Sequence, residues 1–206
     1  AGKDTRIEQY ATNTNYGSIM MFFVGESNNA SNSIARSLIQ FDISSIPADS
    51  VVTVANLNLF HGDRKASNAC TMSIYRLKRD WVEAQATWNQ AKSGTNWSTS
   101  GAANTTNDRE STVQGTLSLA ADEANEIKTI PMGISGVQDW VSGTTPNYGW
   151  LLKTDVEAND GHRFFSSDYS VATDRPSLEV TYLYNPEPTR LNLGGQLISP
   201  GIGLYD

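Results

Sequence analysis

A single cysteine, Cys70, stands among 206 residues, so no intramolecular disulfide can staple this chain. Stability has to come from a buried core, and a chain of this length can build one unaided. The neighbours of Cys70 (Asn68, Ala69, Thr71 and Met72) include no basic residue to activate a thiol, so it reads as a small buried hydrophobe. Histidine is nearly as scarce: His61 and His162 are the only two, and neither has the spacing of a zinc site. Positive charge is outnumbered, 15 Lys and Arg against 22 Asp and Glu, for a net charge of −7. Nucleic acid is therefore not an expected partner, because neutralising phosphates takes a basic face. No apolar run approaches the roughly 20 residues that a membrane-spanning helix needs, and no signal peptide is visible. The start, Ala1-Gly2-Lys3-Asp4, fits signal cleavage, a cut in a longer chain or loss of an initiator methionine equally well. Helix signals are almost absent.

What is present is Ser, Thr, Asn and Gly, with apolar residues in short alternating runs between turn formers. Residues 35–42 alternate, with Ser37, Ile39 and Phe41 on one face and Arg36, Leu38, Gln40 and Asp42 on the other. Ser44-Ser45-Ile46-Pro47 ends that run. Residues 51–60 form a second strand with Val52, Val54, Leu57 and Leu59 as its apolar positions, and the change of phase between Val54 and Leu57 predicts a bulge. Strands are also predicted over 69–78, 126–130, 148–154, 163–167 and 178–184. One short helix is predicted over 135–141, holding Val137 and Trp140 and stopped by Ser142-Gly143. Residues 89–107 have no strong period and read as a long loop, of the kind that is functional or mobile.

Roughly eight to ten strands at this spacing predict an all-β fold, a two-sheet antiparallel jelly roll over residues 1–184. Residues 185–206 are predicted to leave it. Asn185-Pro186-Glu187-Pro188 is a stiff linker, and from Leu191 to Tyr205 no residue is charged. Solvated tails are polar. This one reads as a docking or assembly element built on Leu191, Leu193, Leu197, Ile198, Ile202, Leu204 and Tyr205, with a greasy free terminus as the alternative.

Three stretches carry a family likeness. The first is Asn15-Tyr16-Gly17, Val24-Gly25 and the run from Arg36 to Pro47. The second is Tyr75-Arg76-Leu77 followed by Asp80-Trp81-Val82-Glu83-Ala84-Gln85-Ala86-Thr87-Trp88. The third is the run from Asn147 to Lys153, Phe165-Ser166-Ser167-Asp168, and the run from Arg175 to Tyr182. Together, in this order, they resemble the DNRLRE domain, the disaggregatase-related family that overlaps the family-96 carbohydrate-binding modules. The resemblance covers about residues 4–184 and excludes the tail. It implies a jelly roll, usually one module of a larger surface or secreted protein, and glycan binding.

Candidate site residues follow from chemistry. Trp81 and Trp88 flank a loop entry and are expected to plug the mouth of the sandwich, and Trp140 and Trp150, which sit among apolar residues, are expected to be buried likewise. Trp97, in the polar stretch Gly94-Thr95-Asn96-Trp97-Ser98-Thr99, is the expected sugar-stacking platform, since a pyranose offers an apolar C–H face and polar edges. Arg36, Gln40, Lys153 and Arg163 are expected to share a basic face suited to an anionic polysaccharide, because guanidinium forks match carboxylates; local pairing of each with Asp or Glu is the alternative. Asp155, Glu157 and Asp160 alternate as hard oxygen donors before Gly161 and are the candidate ligands of a structural calcium, although the EF-hand spacing is missing. A charged turn is the plainer reading.

No catalytic constellation stands out. The histidines follow no nucleophile signature, and Tyr75-Arg76 is the only loose hint of a lyase pair. The expected function is a non-catalytic carbohydrate-binding module for adhesion or targeting, at an extracellular, cell-surface or virion-surface location, with polysaccharide as partner. The competing expectation is a structural or decoration subunit of a virion or surface assembly, anchored to other protein subunits by the tail. Leu197-Ile198-Ser199-Pro200-Gly201-Ile202, which resembles a short segment of contractile phage tail-sheath proteins, points the same way.

Overall fold

The computed structural model describes residues 2–26, 34–62, 68–158 and 160–184. The seven assembly candidates, Leu191 through Tyr205, lie outside these. In chain order the strands are β1 (Gly2–Glu8), β2 (Met21–Glu26), β3 (Ile34–Phe41), β4 (Val51–Phe60), β5 (Cys70–Leu77) and the short β6 (Gln90–Lys92) and β7 (Thr95–Asn96). They continue with β8 (Arg109–Leu119), β9 (Ile127–Pro131), β10 (Trp150–Thr154), β11 (His162–Phe165) and β12 (Ser177–Leu183), and helix α1 spans Ile134–Val141 between β9 and β10. Every strand pairing is antiparallel among the described residues.

A seven-stranded sheet runs β11-β2-β3-β10-β5-β8, with β1 also paired to β3, and a three-stranded sheet runs β12-β4-β9. The two make the predicted β sandwich. Its main core collects Ile39, Met72, Ile74, Trp150 and Leu152 from the large sheet and Val52, Ala55, Leu57, Leu59 and Ile130 from the small one. Helix α1 closes one side with Val137, Trp140 and Val141. It ends where Ser142-Gly143 predicted: the Ser142 amide and hydroxyl both bond to the Gln138 carbonyl, and Gly143 takes φ +69°.

The bulge in β4 lies one step earlier than the pattern suggests. Thr181 pairs with Val54 and Tyr182 with Val52, leaving Thr53 as the extra residue. The phase therefore changes before Val54, which turns outward, and Ala55 takes the inward position instead.

Residues 78–108 hold the largest departure from expectation. Instead of a mobile loop, they form a flap laid over the other face of the large sheet. Trp81, Ala86, Trp88, Ala91, Trp97 and Ala102 of the flap pack on Ile7, Leu38, Leu77 and Leu151 of β1, β3, β5 and β10, making a second core. Beyond the short β6–β7 pair and a set of turn bonds, side chains satisfy its backbone, so the sequence looks irregular. The fully buried Asp108 carboxylate accepts the amides of Ser98, Thr99 and Asn104 and pairs with Arg79. Thr87 Oγ1 accepts the amides of Asn89 and Gln90.

One three-residue device ties distant strands together twice. In Asn15-Tyr16-Gly17 and in Asn147-Tyr148-Gly149 the Asn Oδ1 accepts the Gly amide, at 3.1 and 3.0 Å. The Asn Nδ2 then reaches across, to the Glu83 and Ala86 carbonyls in the first case and the Phe41 carbonyl in the second. Glycine is required at both third positions: a Cβ would fall 2.3 Å from the Glu83 oxygen at Gly17 and 2.1 Å from the Ile39 oxygen at Gly149.

Candidate functional site

Trp97 is not an open stacking platform. It is only 4% exposed, in the second core, and its indole N–H donates to the Thr87 carbonyl at 2.9 Å. Its polar neighbours in sequence satisfy the flap backbone and say nothing of what lies beneath. Trp81, Trp88, Trp140 and Trp150 are buried as expected, two in each core.

The basic face is real but neutralised. Lys153 lies one step beyond the Leu152–Ser37 pair in the β10–β3 register, opposite Arg36. Glu157 serves both: it grips Arg36 through two bonds of 2.7 and 2.9 Å and lies 3.9 Å from the Lys153 ammonium. Arg36 also donates to the Gly101 carbonyl and lies over the Trp88 ring, and Lys153 donates to the Thr154 carbonyl. Burial draws the Lys153 pKa down, against the pull of Glu157. Arg163 stands apart on β11, stacked 4.9 Å from the Phe23 ring that also carries Arg6. Tyr75-Arg76 is likewise committed, with Arg76 held by Glu110 and Asp139 and Tyr75 covered by Arg109.

The calcium candidates do not converge. Asp155 Oδ1 caps the amides of Thr71 and Val156, Glu157 is taken by Arg36, and Asp160 Oδ1 accepts the Glu26 amide. Among the described residues no group of three His, Cys, Asp or Glu side chains is placed to hold a metal. The two histidines, far apart in sequence, meet: both are fully buried, and His61 Nε2 lies 3.0 Å from His162 Nδ1. Burial lowers the His61 pKa.

An open groove lies elsewhere, where the chain crosses from the large sheet to the small one. The crossing is fixed by three bonds: Ser44 amide to Asp42 Oδ1, Ile46 amide to the Ile43 carbonyl, and Ser50 amide to the Pro47 carbonyl. On one side a depression of about 450 Å³ is bounded by the start of β1 (Gly2, Lys3), the end of β3 (Gln40, Phe41), Asp42 to Ser44, and Asn147. On the other side a second, of about 260 Å³, shares Phe41, Asp42 and Ile43 and reaches Leu178, Val180 and Tyr182 of β12. Phe41, Ile43, Ile46, Leu178 and Val180 are the rim of the main core and give the groove an apolar floor. Asp42, Ser44, Ser45 and Tyr182 are exposed along it. Hydrogen bonding from Ser44 holds the Asp42 carboxyl below its usual range.

Of the five expected ligand-binding residues, only Gln40 borders this groove, its amide donating to the Asn147 carbonyl. The sequence marked Ser44-Ser45-Ile46-Pro47 as a strand break and as the end of a family-like stretch, not as a site. Nothing in it showed that β12, more than a hundred residues later, would complete the cleft.

The model of the disaggregatase related repeat domain matches residues 4–180. The chain belongs to that family. A search of curated proteins found no match. The structure explains why the family-like stretches read as they do. Asn-Tyr-Gly is the crossing device, and residues 80–88 form the base of the flap, with Trp81 donating to the Tyr148 carbonyl. The run from Arg36 to Pro47 contains β3 and one wall of the groove. Among the described residues no helix is long and apolar enough to cross a membrane.

Proposed function

We propose that this domain is a non-catalytic carbohydrate-binding module that holds a polysaccharide chain in the groove between Phe41 and Tyr182. The observation that carries the reading is the groove itself: an apolar floor with two aromatic side chains, flanked by exposed hydroxyl and carboxylate groups. Sugars need that combination, C–H faces on aromatic or aliphatic surface and hydroxyls on polar edges. Membership of the disaggregatase-related family supports it, given that family's overlap with carbohydrate-binding modules. A shallow groove of this kind binds weakly per site, and repeated copies in a surface or secreted protein would supply avidity.

A second reading, an assembly subunit, is favoured by one feature. Among the described residues β12 is an edge strand, and Val51, Leu183 and Tyr184 are exposed where the described chain ends. The test of both is a glycan array followed by calorimetry on the full chain, on Tyr182→Ala and Ser45→Gln, and on a chain ended at Tyr184. Groove binding predicts that each substitution weakens glycan affinity by about tenfold at unchanged circular dichroism, while the shortened chain binds normally. Loss of a defined oligomer on shortening, with no glycan bound by either form, would instead establish the assembly role.

A further inference from the structure

We propose that the contact between His61 and His162 is an acid-sensitive latch, which closes the sandwich at the end of β4 and lets go as the imidazoles take up protons. The two rings come from opposite sheets. His61 directly follows β4 of the small sheet and bridges Phe164, while His162 opens β11 of the large sheet. Around them the His61 amide donates to the Glu126 carbonyl and the Gly62 amide to the Arg163 carbonyl, both at 2.9 Å. Beside them Phe60 stacks on Phe165 at 4.9 Å. Of these four ties only the histidine contact titrates between roughly pH 5 and 8.

The contact has room for one hydrogen. His61 Nε2 lies 3.0 Å from His162 Nδ1, so one nitrogen donates and the other must keep its lone pair. Two imidazolium rings would aim two N–H groups at each other, and the doubly protonated pair cannot stay closed. A single added proton keeps the hydrogen bond but leaves a cation in a pair with no solvent exposure. Burial, the largest influence on His61, accordingly lowers its pKa; Lys128 acts the same way, while Glu123 and the Ala124 carbonyl oppose. Glu123 is itself paired with Lys128, which also holds Glu126. Other ionisable groups on the surrounding elements, among those described, are Cys70 of β5, Glu26 of β2, and Asp160 and Arg163 at β11. The Cys70 thiol, pushed up to about 12 by burial, donates to the Asp160 carbonyl and is uncharged in acid. Asp160 Oδ1 accepts the Glu26 amide, and Arg163 lies over the Phe23 ring. Asp63, Arg64 and Lys65, next in the chain, lie outside the described residues. Once the rings part, each meets water and takes its own proton near its ordinary value of about 6.5. Closure is therefore fully favoured above that value and weakens as pH falls through it.

The test is amide hydrogen exchange of the full chain from about pH 7.5 to 5, corrected for intrinsic rates and read beside the proton resonances of the two imidazoles. The opening constant at the His61 and Gly62 amides should rise as pH falls below about 6.5, by up to tenfold per unit for each proton taken up. The imidazoles should titrate in the same step, and the amides of β3 and β10 should keep their protection. His61→Gln keeps a side-chain N–H and an acceptor but takes up no proton, so its opening should not respond to acid. That variant shares every other charge with the native chain, including those of residues 63–67, and an equal acid response in it would overturn the latch. The native chain decides on its own as well. Protection of His61 and Gly62 that persists to about pH 5, whether or not the imidazoles titrate, overturns the proposal. So does loss of protection in β3 and β10 in the same step, which would be unfolding of the whole domain.

Discussion

Asp4→Asn should remove a large part of the pH dependence of this fold's stability. Asp4, near the start of β1, is only 3% exposed, and its Oδ2 accepts the Ser167 amide at 2.7 Å. Burial pushes its pKa from 3.8 up to about 7, more strongly than the Ser167 hydrogen bonds pull it down. Because the folded value lies above the unfolded one, the contribution is complete below pH 3.8 and is lost as pH rises through about 7. That interval of roughly three pH units, at about 1.4 kcal/mol each, corresponds to a loss on the order of 4 kcal/mol. Asparagine keeps an acceptor for Ser167 but has no proton to lose, so the variant lacks this slope. The assay is urea unfolding of both proteins at half-unit steps from about pH 4.5 to 8. Two other groups also titrate across folding: Glu83, raised by burial, adds to the native slope, while His61, lowered by burial, takes stability away on the acid side. Both are present in the two proteins, so the difference curve cancels His61 and reports Asp4 together with its coupling to Glu83. It should tilt by about 1.4 kcal/mol per pH unit through the middle of the range, in favour of the variant as pH rises. Parallel curves, differing by a constant within about 0.5 kcal/mol, would show that Asp4 is ionised in the fold and that burial does not govern it.

Two other outcomes follow from the second core. Trp97→Ala should cost about 3–5 kcal/mol in urea unfolding, by cavity formation and by leaving the Thr87 carbonyl unpaired, while the glycan affinity of the folded fraction stays native; near-native stability with lost binding would restore Trp97 as a sugar platform. Glu157→Gln should cost about 3 kcal/mol, because Arg36 and Lys153 are left as partly buried cations without a counter-charge; a change below about 0.5 kcal/mol would mean that water already solvates that pair.

The strands with one face on the main core were legible from alternation, because burial of one side imposes a period of two. β3, β4, β5 and β12 fall within a residue or two of their predicted ends, and so does β10, which was legible as an apolar run instead. α1 was legible from its apolar spacing and its stop. β8 was not. It is the longest strand, at 11 residues, yet it lies at the edge of the large sheet with only Leu119 buried, so its residues carry no period. β1 escaped for a different reason: its buried positions include Asp4, whose carboxylate takes the distant Ser167 amide, and Thr5, whose hydroxyl donates to the adjacent Arg6 carbonyl. The flap was illegible from its polar pattern. Part of its backbone is satisfied by Asp108, Thr87 and Gln85, and side-chain bonding of that kind leaves a polar sequence that looks the same whether the loop is free or packed. The tryptophans were the usable signal, three of the five lying within residues 81–97. So many indoles in one polar stretch are easier to bury against a sheet than to leave in water.

The flap also decides where a ligand can sit. Alternation correctly put Arg36, Gln40 and Lys153 on the face of the large sheet that does not meet the main core, a natural platform had that face been bare. In this chain Leu38 and Leu151 of the same face are covered by Trp81, Trp88 and Trp97, and the charges beside them are closed off by Glu157 and Gly101. Both faces of the central strands are therefore spent on packing, which is why Trp150-Leu151-Leu152 reads as an unbroken apolar run. What stays open is the seam between the sheets, where residues 42–50 must leave β3 to enter β4 and no flap residue reaches. The apolar rim of the main core surfaces at that seam beside exposed hydroxyls and the Asp42 carboxylate. A recognition site built there inherits its charge from the crossing turn, not from the sheet. The reading of the sheet as a sugar-binding face and the reading of the groove as the site thus differ in a single structural fact, whether residues 78–108 lie on the sheet or off it.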